Sequence, residues 1–599
     1  MANMESIKTR KEIDDKYKWN MKDVYADEEL WSSDIEKAKE LFLQLKEFRG
    51  IICRDVDSFA ECMKLMSEIE LLTEKIFFYA NQKYHEDLGC SKYQNMAGES
   101  TDLLTRFYTA SSFVEPELLA ADEATIRKYL EREDLREFTQ YFNNLFRQKK
   151  HILSDEAEEI LAASQKISQS PSDIFQVFNN ADLKFPEIED ENGEKVRITH
   201  SRFGIFLESR DRSVREAAFK QMYSVYGQFR NTIAAIYLAS VKKDKFYAEI
   251  RKYDSSRQMY LEDGNIPEQV YDNLIETVQE HLPLLHRYVE LRKKALSLEE
   301  VHLYDLYVPL VKDVDFDVPF EKAKEMVLEG LKPMGEEYGA LLRKGFEEGW
   351  IDVYENEGKR SGAYSWSIYG VHPYVLLNYQ PNLNNVFTIA HEMGHALHSY
   401  YSNENQTYTN AGYKIFVAEV ASTCNESLLI HHLIENTKSK EEKAYLINHF
   451  LEQFRTTLFR QTMFAEFEKI THEMVDSGKA LNQEILCEIY FELNRKYFGD
   501  KIVIDKEIEM EWARIPHFYT AFYVYQYATG FSAAIALSRR ILELGEPAVE
   551  DYKKFLKGGS SDYPIELLKT AGVDMGSREP VKAAMQVFEE LLEELEKLL

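Results

Sequence analysis

The chain has 599 residues and a formal net charge of −30, with 73 Lys and Arg residues against 103 Asp and Glu residues. Its length allows roughly two to four domains or one large helical body. The acidity argues against a nucleic-acid partner, because phosphate binding needs a concentrated basic surface, and against anionic membranes. No stretch approaches the roughly 18 apolar residues of a membrane span, and five scattered cysteines without CxxC spacing fit a reducing compartment. We therefore expect a cytoplasmic protein with no nucleic-acid or membrane partner.

Amphipathic helix patterns fill most of the sequence, which has only 25 Gly and 14 Pro. Residues 125–169 contain neither, and their apolar side chains recur at three- and four-residue spacing, which predicts helix. The same pattern recurs in residues 34–47, 214–248, 268–298, 320–349, 440–477 and 580–599. The sequence therefore predicts a mainly α fold, in which residues 588–599 form a terminal helix packed on its own body.

Strand patterns are few. Residues 183–188 and 195–199 flank Asn192-Gly193, a dipeptide that favours a tight hairpin turn. Residues 374–379 form a second apolar run with strand character. We expect a hairpin at the first position and a strand at the second.

The segment that carries chemistry is NNVFTIAHEMGHALHSY, residues 384–400, which contains an HExxH pattern. His391 and His395 are four residues apart, so both imidazoles lie on one helix face and can reach one Zn²⁺. Glu392 is then placed to take a proton from a metal-activated water. The same helix has an apolar stripe that would bury one face and leave the histidines beside a cleft, formed by Val386, Ile389, Ala390, Met393 and Leu397.

A catalytic zinc usually has three protein ligands and a water, so a third ligand is needed. The offsets at which a metzincin has Gly and His hold His398 and Tyr401 here, which excludes that subclass. His398 lies one turn beyond His395, where hydrogen bonding near the site is favoured over ligation. A carboxylate would complete the set, and spacing alone leaves three candidates open: Glu404, and the pair Glu419 and Glu426 on one face of a second helical stretch.

The sequence resembles oligoendopeptidase F, within the thimet-oligopeptidase-like zinc metallopeptidases. The resemblance rests on KRSGAYSWSIYGVHPYVLLNY, FTIAHEMGHALHSYYS, FVAEVASTCNE, RIPHFYTAFYVYQYATG and FLKGGSSDYPIELLKTAGVD, which occur in that family's order and spacing. It implies a large helical two-lobed body that encloses a deep substrate channel, with a small β-sheet beside the HExxH helix. The hairpin near residue 195 is the best candidate boundary between an N-terminal helical region, residues 1–195, and a catalytic domain, residues 196–599.

The resemblance also implies roles for the residues around the metal. The family's zinc ligands map onto His391, His395 and Glu419, and its general base maps onto Glu392. Glu426 then becomes a candidate to orient a ligand imidazole.

A further family element is a His and Tyr cluster that donates hydrogen bonds to the substrate and to the tetrahedral oxyanion. His517 matches the His, and among four closely spaced tyrosines we assign the role to Tyr523 and Tyr525. His372, His398 and Tyr519 are further candidates for contacts near the site or the substrate.

Motif and resemblance together predict a zinc-dependent endopeptidase of the gluzincin HExxH type. It would hydrolyse internal bonds of short oligopeptides with one Zn²⁺ and with Glu392 as general base. One alternative is a zinc carboxypeptidase or dipeptidyl carboxypeptidase, which needs a group that captures the terminal carboxylate. The other is a non-catalytic zinc-containing peptide-binding protein, against which Glu392 argues, since a structural site needs no base.

Overall fold

The computed structural model of the chain describes residues 7–311 and 317–599. Over these ranges the protein is 72% helical, and its sheets are small, with two and three strands. The predicted mainly α class is therefore confirmed. Within the same ranges, no helix is both long enough and apolar enough to cross a membrane.

Helices follow one another through almost the whole described chain. Many begin at a side-chain cap, as Asp27 and Asp55 do by accepting a hydrogen bond from a backbone N–H of the first turn. In chain order the helices are α1 (Glu28–Lys46), α2 (Val56–Glu86), α3 (Ser91–Ser111), α4 (Val114–Ala120), α5 (Glu123–Tyr129), α6 (Thr139–Gln148), α7 (Asp155–Ser168), α8 (Ser170–Val177), α9 (His200–Glu208), α10 (Arg212–Gln228), α11 (Arg230–Ile250), α12 (Ser256–Glu262), α13 (Glu268–Glu280), α14 (Leu282–Ala295), α15 (Phe320–Gly330), α16 (Gly335–Glu347), α17 (Leu383–Asn405), α18 (Tyr408–Ala411), α19 (Ile415–Asn436), α20 (Lys440–Gln453), α21 (Arg460–Asp476), α22 (Gln483–Phe498), α23 (Tyr525–Leu544), α24 (Glu546–Leu556), α25 (Pro564–Thr570) and α26 (Glu579–Leu598).

The long stretch without Gly or Pro, residues 125–169, is not one helix. It is divided among α5, α6 and α7, and a 3-10 segment, Glu133–Phe138, separates the first two. Leu135 and Phe138 of that segment are buried. Tertiary packing therefore breaks the helix at a place where the local sequence contains no breaker.

The predicted hairpin is present with shorter strands. β1 (Glu187–Glu189) pairs antiparallel with β2 (Lys195–Arg197), and Gly193 in the turn between them has φ of 76°. Glycine adopts this left-handed conformation without steric cost.

The second sheet lies beside the HExxH helix. It contains β3 (Ile351–Asp352), β4 (Tyr364–Trp366) and β5 (Tyr374–Leu376) in the order β3-β5-β4. β3 runs parallel to β5, and β4 runs antiparallel to it. The predicted strand at residues 374–379 is thus present over its first three residues. The sheet is tied to α17 by Asn403, whose Nδ2 donates a hydrogen bond to Ser367 Oγ at 2.9 Å.

The chain forms two compact units, each built from three separate segments. Unit 1 comprises Met1–Lys150, Asp315–His432 and Leu537–Gly572, and unit 2 comprises His151–Val314, Leu433–Ala536 and Val573–Leu599. The boundary expected near residue 195, between an N-terminal helical region and a catalytic domain, stays a prediction.

The core of unit 1 joins its N-terminal helices to the small sheet. The ring of Phe78 on α2 lies 4.9 Å from that of Trp366 and 5.3 Å from that of Tyr374, measured between centroids. The buried Lys359 lies 2.7 Å from Asp352 Oδ1 and donates to the carbonyl oxygen of Leu377 at 2.6 Å. These contacts fix the segment that leads into β4.

Unit 2 combines an apolar core with buried ion pairs. Asp305 is fully buried, and its Oδ1 accepts a hydrogen bond from Arg215 Nη2 at 2.7 Å. The terminal helix α26 packs on α13, α14 and α20 of the same unit, and Phe588 and Leu592 on it are fully buried. This confirms the prediction that the C-terminal segment packs on its own body.

Candidate metal centre

Helix α17 carries the HExxH pattern and is anchored along its apolar side. Its N-cap is Asn382, whose side-chain oxygen accepts a hydrogen bond from the backbone N–H of Asn385 at 2.9 Å. His391 and His395 are half-buried. The predicted stripe is buried at every position: Val386, Ile389, Ala390, Met393 and Leu397.

Three side chains of unit 1 bring one ligand atom each to a common point. The Nε2 atoms of His391 and His395 are 3.2 Å apart, and Glu419 Oε2 on α19 lies 3.3 Å and 3.4 Å from them. Two atoms bound tetrahedrally to zinc at 2.0–2.1 Å are separated by about 3.3 Å. The triangle therefore fits one Zn²⁺ ion. Elsewhere in the described chain, no other three His, Cys, Asp or Glu ligand atoms meet closely enough to hold a metal.

Glu426 contacts the opposite edge of the His391 ring. His391 Nδ1 donates a hydrogen bond to Glu426 Oε1, so Nε2 is the ring nitrogen that faces Glu419 and His395. A carboxylate in this position fixes the tautomer and the orientation of a ligand imidazole. The two glutamates that spacing could not separate therefore lie on different sides of the same ring.

The carboxylates make this group attractive to positive charge. Burial disfavours the imidazolium of His391, but hydrogen bonds to Glu419 and Glu426 outweigh burial and raise the pKa of His391 to about 10. Burial also favours the neutral form of Glu419, yet His391 and His395 hold the pKa of its carboxyl far below the usual range. A divalent cation would replace the Nε2 proton of His391.

Gly394 sets the distance between α17 and α19. A Cβ atom at this position would lie 2.6 Å from Ser422 Cα and 2.8 Å from the carbonyl oxygen of Ala421, both backbone atoms of α19. Asn425, fully buried, joins the same helices because its Nδ2 donates to the carbonyl oxygen of Ala390 at 3.1 Å. Neither residue is predicted from the sequence; the signal for Gly394 is a glycine inside an otherwise helical pattern.

Glu392 lies beside the ligand atoms without joining them. Its side chain is buried, with the residue 7% exposed. Burial raises the pKa of its carboxyl above the ordinary value, against the opposing charges of His391 and His395. A raised pKa makes the carboxylate a stronger base.

Three other candidates lie apart from the ligand triangle. His398 is 1% exposed and stacks on Tyr413 with centroids 3.8 Å apart, and burial lowers its pKa to about 3. His372 stacks on Trp350 with centroids 5.2 Å apart. Glu404 is exposed near the end of α17.

The predicted His and Tyr residues lie in unit 2, at and after a 3-10 turn, Pro516–Tyr519. His517 is exposed, and its ring lies nearly parallel to that of Tyr523 with centroids 6.3 Å apart. Tyr527 Oη lies 3.5 Å from His517 Nε2, and the rings of Tyr523 and Tyr527 are 5.4 Å apart. Tyr527 was not among the assigned residues, although it is four residues from Tyr523.

Tyr525 and Tyr519 point into the core of unit 2. Tyr525 is 3% exposed and its ring centroid lies 5.0 Å from that of Tyr271. Tyr519 stacks on Phe175 at 4.3 Å. Burial raises the pKa of both phenols. A functional role for these two residues stays a prediction.

Comparison with known proteins identifies the family. The profile of Peptidase family M3 matches residues 205–587, and that of Oligopeptidase F matches residues 117–185. The chain belongs to peptidase family M3. It is 47% identical to oligopeptidase PepF of Bacillus subtilis over 98% of this chain and 88% of that protein. It is 41% identical to an oligoendopeptidase F homolog of Lactococcus lactis over 99% of this chain and 98% of that protein.

The fold comparison agrees. The crystal structure of oligoendopeptidase-F from Enterococcus faecium is 40% identical and superimposes with a TM-score of 0.73, covering 95% of this chain and 99% of that one. The predicted family is thereby confirmed. Membership in M3 supports a metallopeptidase that acts on peptides, and it implies a metal that the His391, His395 and Glu419 group could bind.

Gly394→Ala tests the helix contact. The added methyl group must push α19 away from α17, so we expect a loss of about 1–3 kcal/mol in the free energy of unfolding. Because Glu419 moves with α19, metal affinity should fall as well. Urea unfolding and metal titration of the purified variant measure the two effects.

Gly98→Ala is the matched control, since Gly98 lies inside α3 and, among the described residues, an added Cβ would meet open space beside the helix. That change should leave metal affinity unaltered and raise the free energy of unfolding by up to about 1 kcal/mol. Wild-type metal affinity in Gly394→Ala would contradict the account of the helix contact.

Proposed function

We propose that the protein is a zinc-dependent endopeptidase that hydrolyses internal bonds of short peptides in the cytoplasm. The observation that carries the proposal is the triangle of His391, His395 and Glu419 ligand atoms, 3.2–3.4 Å apart, with Glu392 beside it. Absence of disulfides among the five cysteines, all of which lie in the described residues, supports a reducing compartment.

The proposed mechanism assigns separate roles to the residues of α17 and α19. His391, His395 and Glu419 would hold the zinc, and Glu426 would orient His391 through its Nδ1. The metal supplies Lewis acidity and lowers the pKa of water towards neutrality. Glu392 would accept a proton from the attacking water and deliver it to the leaving amine, a role worth typically 10²–10⁴-fold in rate.

His517 and Tyr523 are the proposed donors to the oxyanion of the tetrahedral intermediate. The proposal rests on the family resemblance and on the cluster that these two residues form with Tyr527. A donor to the oxyanion has to reach the substrate, which the half-buried Tyr523 suits better than the buried Tyr525. Such a donor lowers the barrier by a few kcal/mol.

Peptide cleavage mapping tests the proposed function directly. A mixed library of short peptides, including members blocked at both ends, is incubated with the protein with and without a chelator. We expect internal cuts, in blocked members as well, that the chelator abolishes. Cuts confined to unblocked C-termini would favour the carboxypeptidase alternative, and chelator-resistant cuts would exclude a metal.

Glu392→Gln is the matched variant for this assay. The amide keeps the shape of the side chain but cannot accept the proton, so the variant should bind stoichiometric zinc and cut the same library at least 10²-fold more slowly. Rapid cleavage by this variant would remove Glu392 from the role of base.

Two variants separate the metal ligand from the group that orients it. Glu419→Ala should lose stoichiometric zinc, whereas Glu426→Gln should keep zinc with an affinity about 10–100-fold lower. Elemental analysis and competition with a fluorescent chelator report the two quantities. If Glu419→Ala retains zinc and Glu426→Gln loses it, Glu426 is the metal ligand and Glu419 the residue that orients His391.

A pair of Tyr variants tests the proposed oxyanion donor. Tyr523→Phe should lower kcat roughly tenfold or more with zinc content unchanged, the scale expected for the loss of one donor. Tyr525→Phe should lower kcat less, because its side chain packs on Tyr271. A larger loss in Tyr525→Phe than in Tyr523→Phe would transfer the role to Tyr525.

A further inference from the structure

A cleft of about 280 Å³ borders the outer strand β4 in unit 1. Its lining includes His85, Arg360, Tyr364 and Trp366. β4 pairs with β5 along one side, and among the described strands none pairs with its other side. An outer strand of this kind can take up an extended peptide. The volume is below that of typical small-molecule pockets, which suits one residue of such a peptide.

Arg360 is held in place at this cleft by both backbone and side chain. Its backbone N–H donates to the carbonyl oxygen of His85 at 3.0 Å, and its carbonyl oxygen accepts from Asn378 Nδ2 at 3.0 Å. Its Nη1 donates to His85 Nε2 at 2.8 Å, and the guanidinium lies over the Tyr364 ring, 5.6 Å from the centroid. A group that is ordered in advance loses less entropy when a ligand binds.

His85 accepts this hydrogen bond without neutralising the Arg360 charge. His85 Nδ1 lies 2.7 Å from Tyr364 Oη, and the Tyr364 hydroxyl donates in turn to Gln82 Oε1. This order of donors leaves the His85 proton on Nδ1 and the Nε2 lone pair directed at Arg360. Burial and the nearby Arg360 charge lower the pKa of His85 to about 4, so the ring is neutral near pH 7.

The positive charge of Arg360 has no acidic counterpart within ion-pair distance among the described residues. Within the described parts of the chain, no Asp or Glu oxygen lies within 4.0 Å of its side-chain nitrogens. Acidic groups of the same region already have other partners, since Asp352 pairs with Lys359 and Glu86 with Lys83. A guanidinium has five N–H donors in a planar fork that matches a carboxylate, and Arg360 uses one of them on His85.

We propose that Arg360 binds a carboxylate of a substrate peptide lying along β4, either the C-terminal carboxylate or an Asp or Glu side chain. The inference rests on the proposed peptidase function. A peptide added to the outer side of β4 would direct alternate side chains, or its terminus, towards the cleft. A chain with a net charge of −30 would thereby gain a local preference for an acidic group.

Matched peptides test this site. The parent peptide has no acidic residue and is blocked at both ends. A first series has a free C-terminal carboxylate. A second series carries a single Glu at successive positions, and each member is compared with the same peptide carrying Gln at that position. We expect the wild type to cleave at least one carboxylate peptide with kcat/KM about tenfold above its neutral counterpart, the scale of a charge-assisted hydrogen bond. Arg360→Met should remove that preference and leave cleavage of the parent unchanged.

Whichever peptide series, free C-terminus or Glu side chain, loses its preference in Arg360→Met identifies the carboxylate that Arg360 binds. Arg360→Lys should retain only part of the preference, because it keeps the charge without the planar fork. Arg343→Met removes an equal charge from α16, where Arg343 pairs with Glu336, and should retain the whole preference. Cleavage of the parent shows that each variant is folded; Arg360→Gln replaces Arg360→Met if the latter fails this check.

Two results would overturn the assignment: no carboxylate preference in the wild type, or a preference that survives in Arg360→Met. Failure of the wild type to cleave even the parent would instead contradict the proposed function. The two failures are therefore distinguishable in one set of measurements.

Discussion

The close contact between α17 and α19 at Gly394 is the constraint on which the candidate metal centre depends. Two helices that carry ordinary side chains at their crossing point keep their axes about 8–10 Å apart. Here an added Cβ would lie 2.6 Å from Ser422 Cα, so the backbones meet directly. This approach lets Glu419 reach both histidines and lets Glu426 reach the far side of His391. The small sheet and the buried stripe of α17 hold one side of this contact.

The same contact explains the electrostatics of the centre. Two carboxylates and two imidazoles meet in a partly buried space, and burial alone would favour their neutral forms. The pKa of His391 is nevertheless raised and that of Glu419 lowered, because each stabilises the charge of the other. Burial outweighs the charges of the same histidines at Glu392, whose pKa stays raised. Glu392 and Glu419 both interact with His391 and His395, yet their environments move the pKa values of the two carboxyls in opposite directions.

Local sequence patterns predicted the helical class and the ligand pair, because the 3.6-residue period fixes which side chains share a helix face. They could not separate Glu419 from Glu426, which are seven residues apart and face the same way; only the position of α17 against α19 separates them. The importance of Gly394 and the breaks within residues 125–169 depend on tertiary packing, which a local pattern does not contain. Tyr523 is half-buried whereas Tyr525 packs on Tyr271 in the core of unit 2, and family spacing alone could not rank the two.

The central claim is that one catalytic zinc is bound by His391, His395 and Glu419. The most direct measurement is a crystal structure of the zinc-loaded protein with anomalous data collected at the zinc absorption edge. The account predicts one strong peak at about 2.0–2.1 Å from Nε2 of each histidine and at a similar distance from a Glu419 oxygen, with Glu426 hydrogen-bonded to His391. A peak elsewhere in the chain, or a zinc bound by Glu426 in place of Glu419, would contradict it.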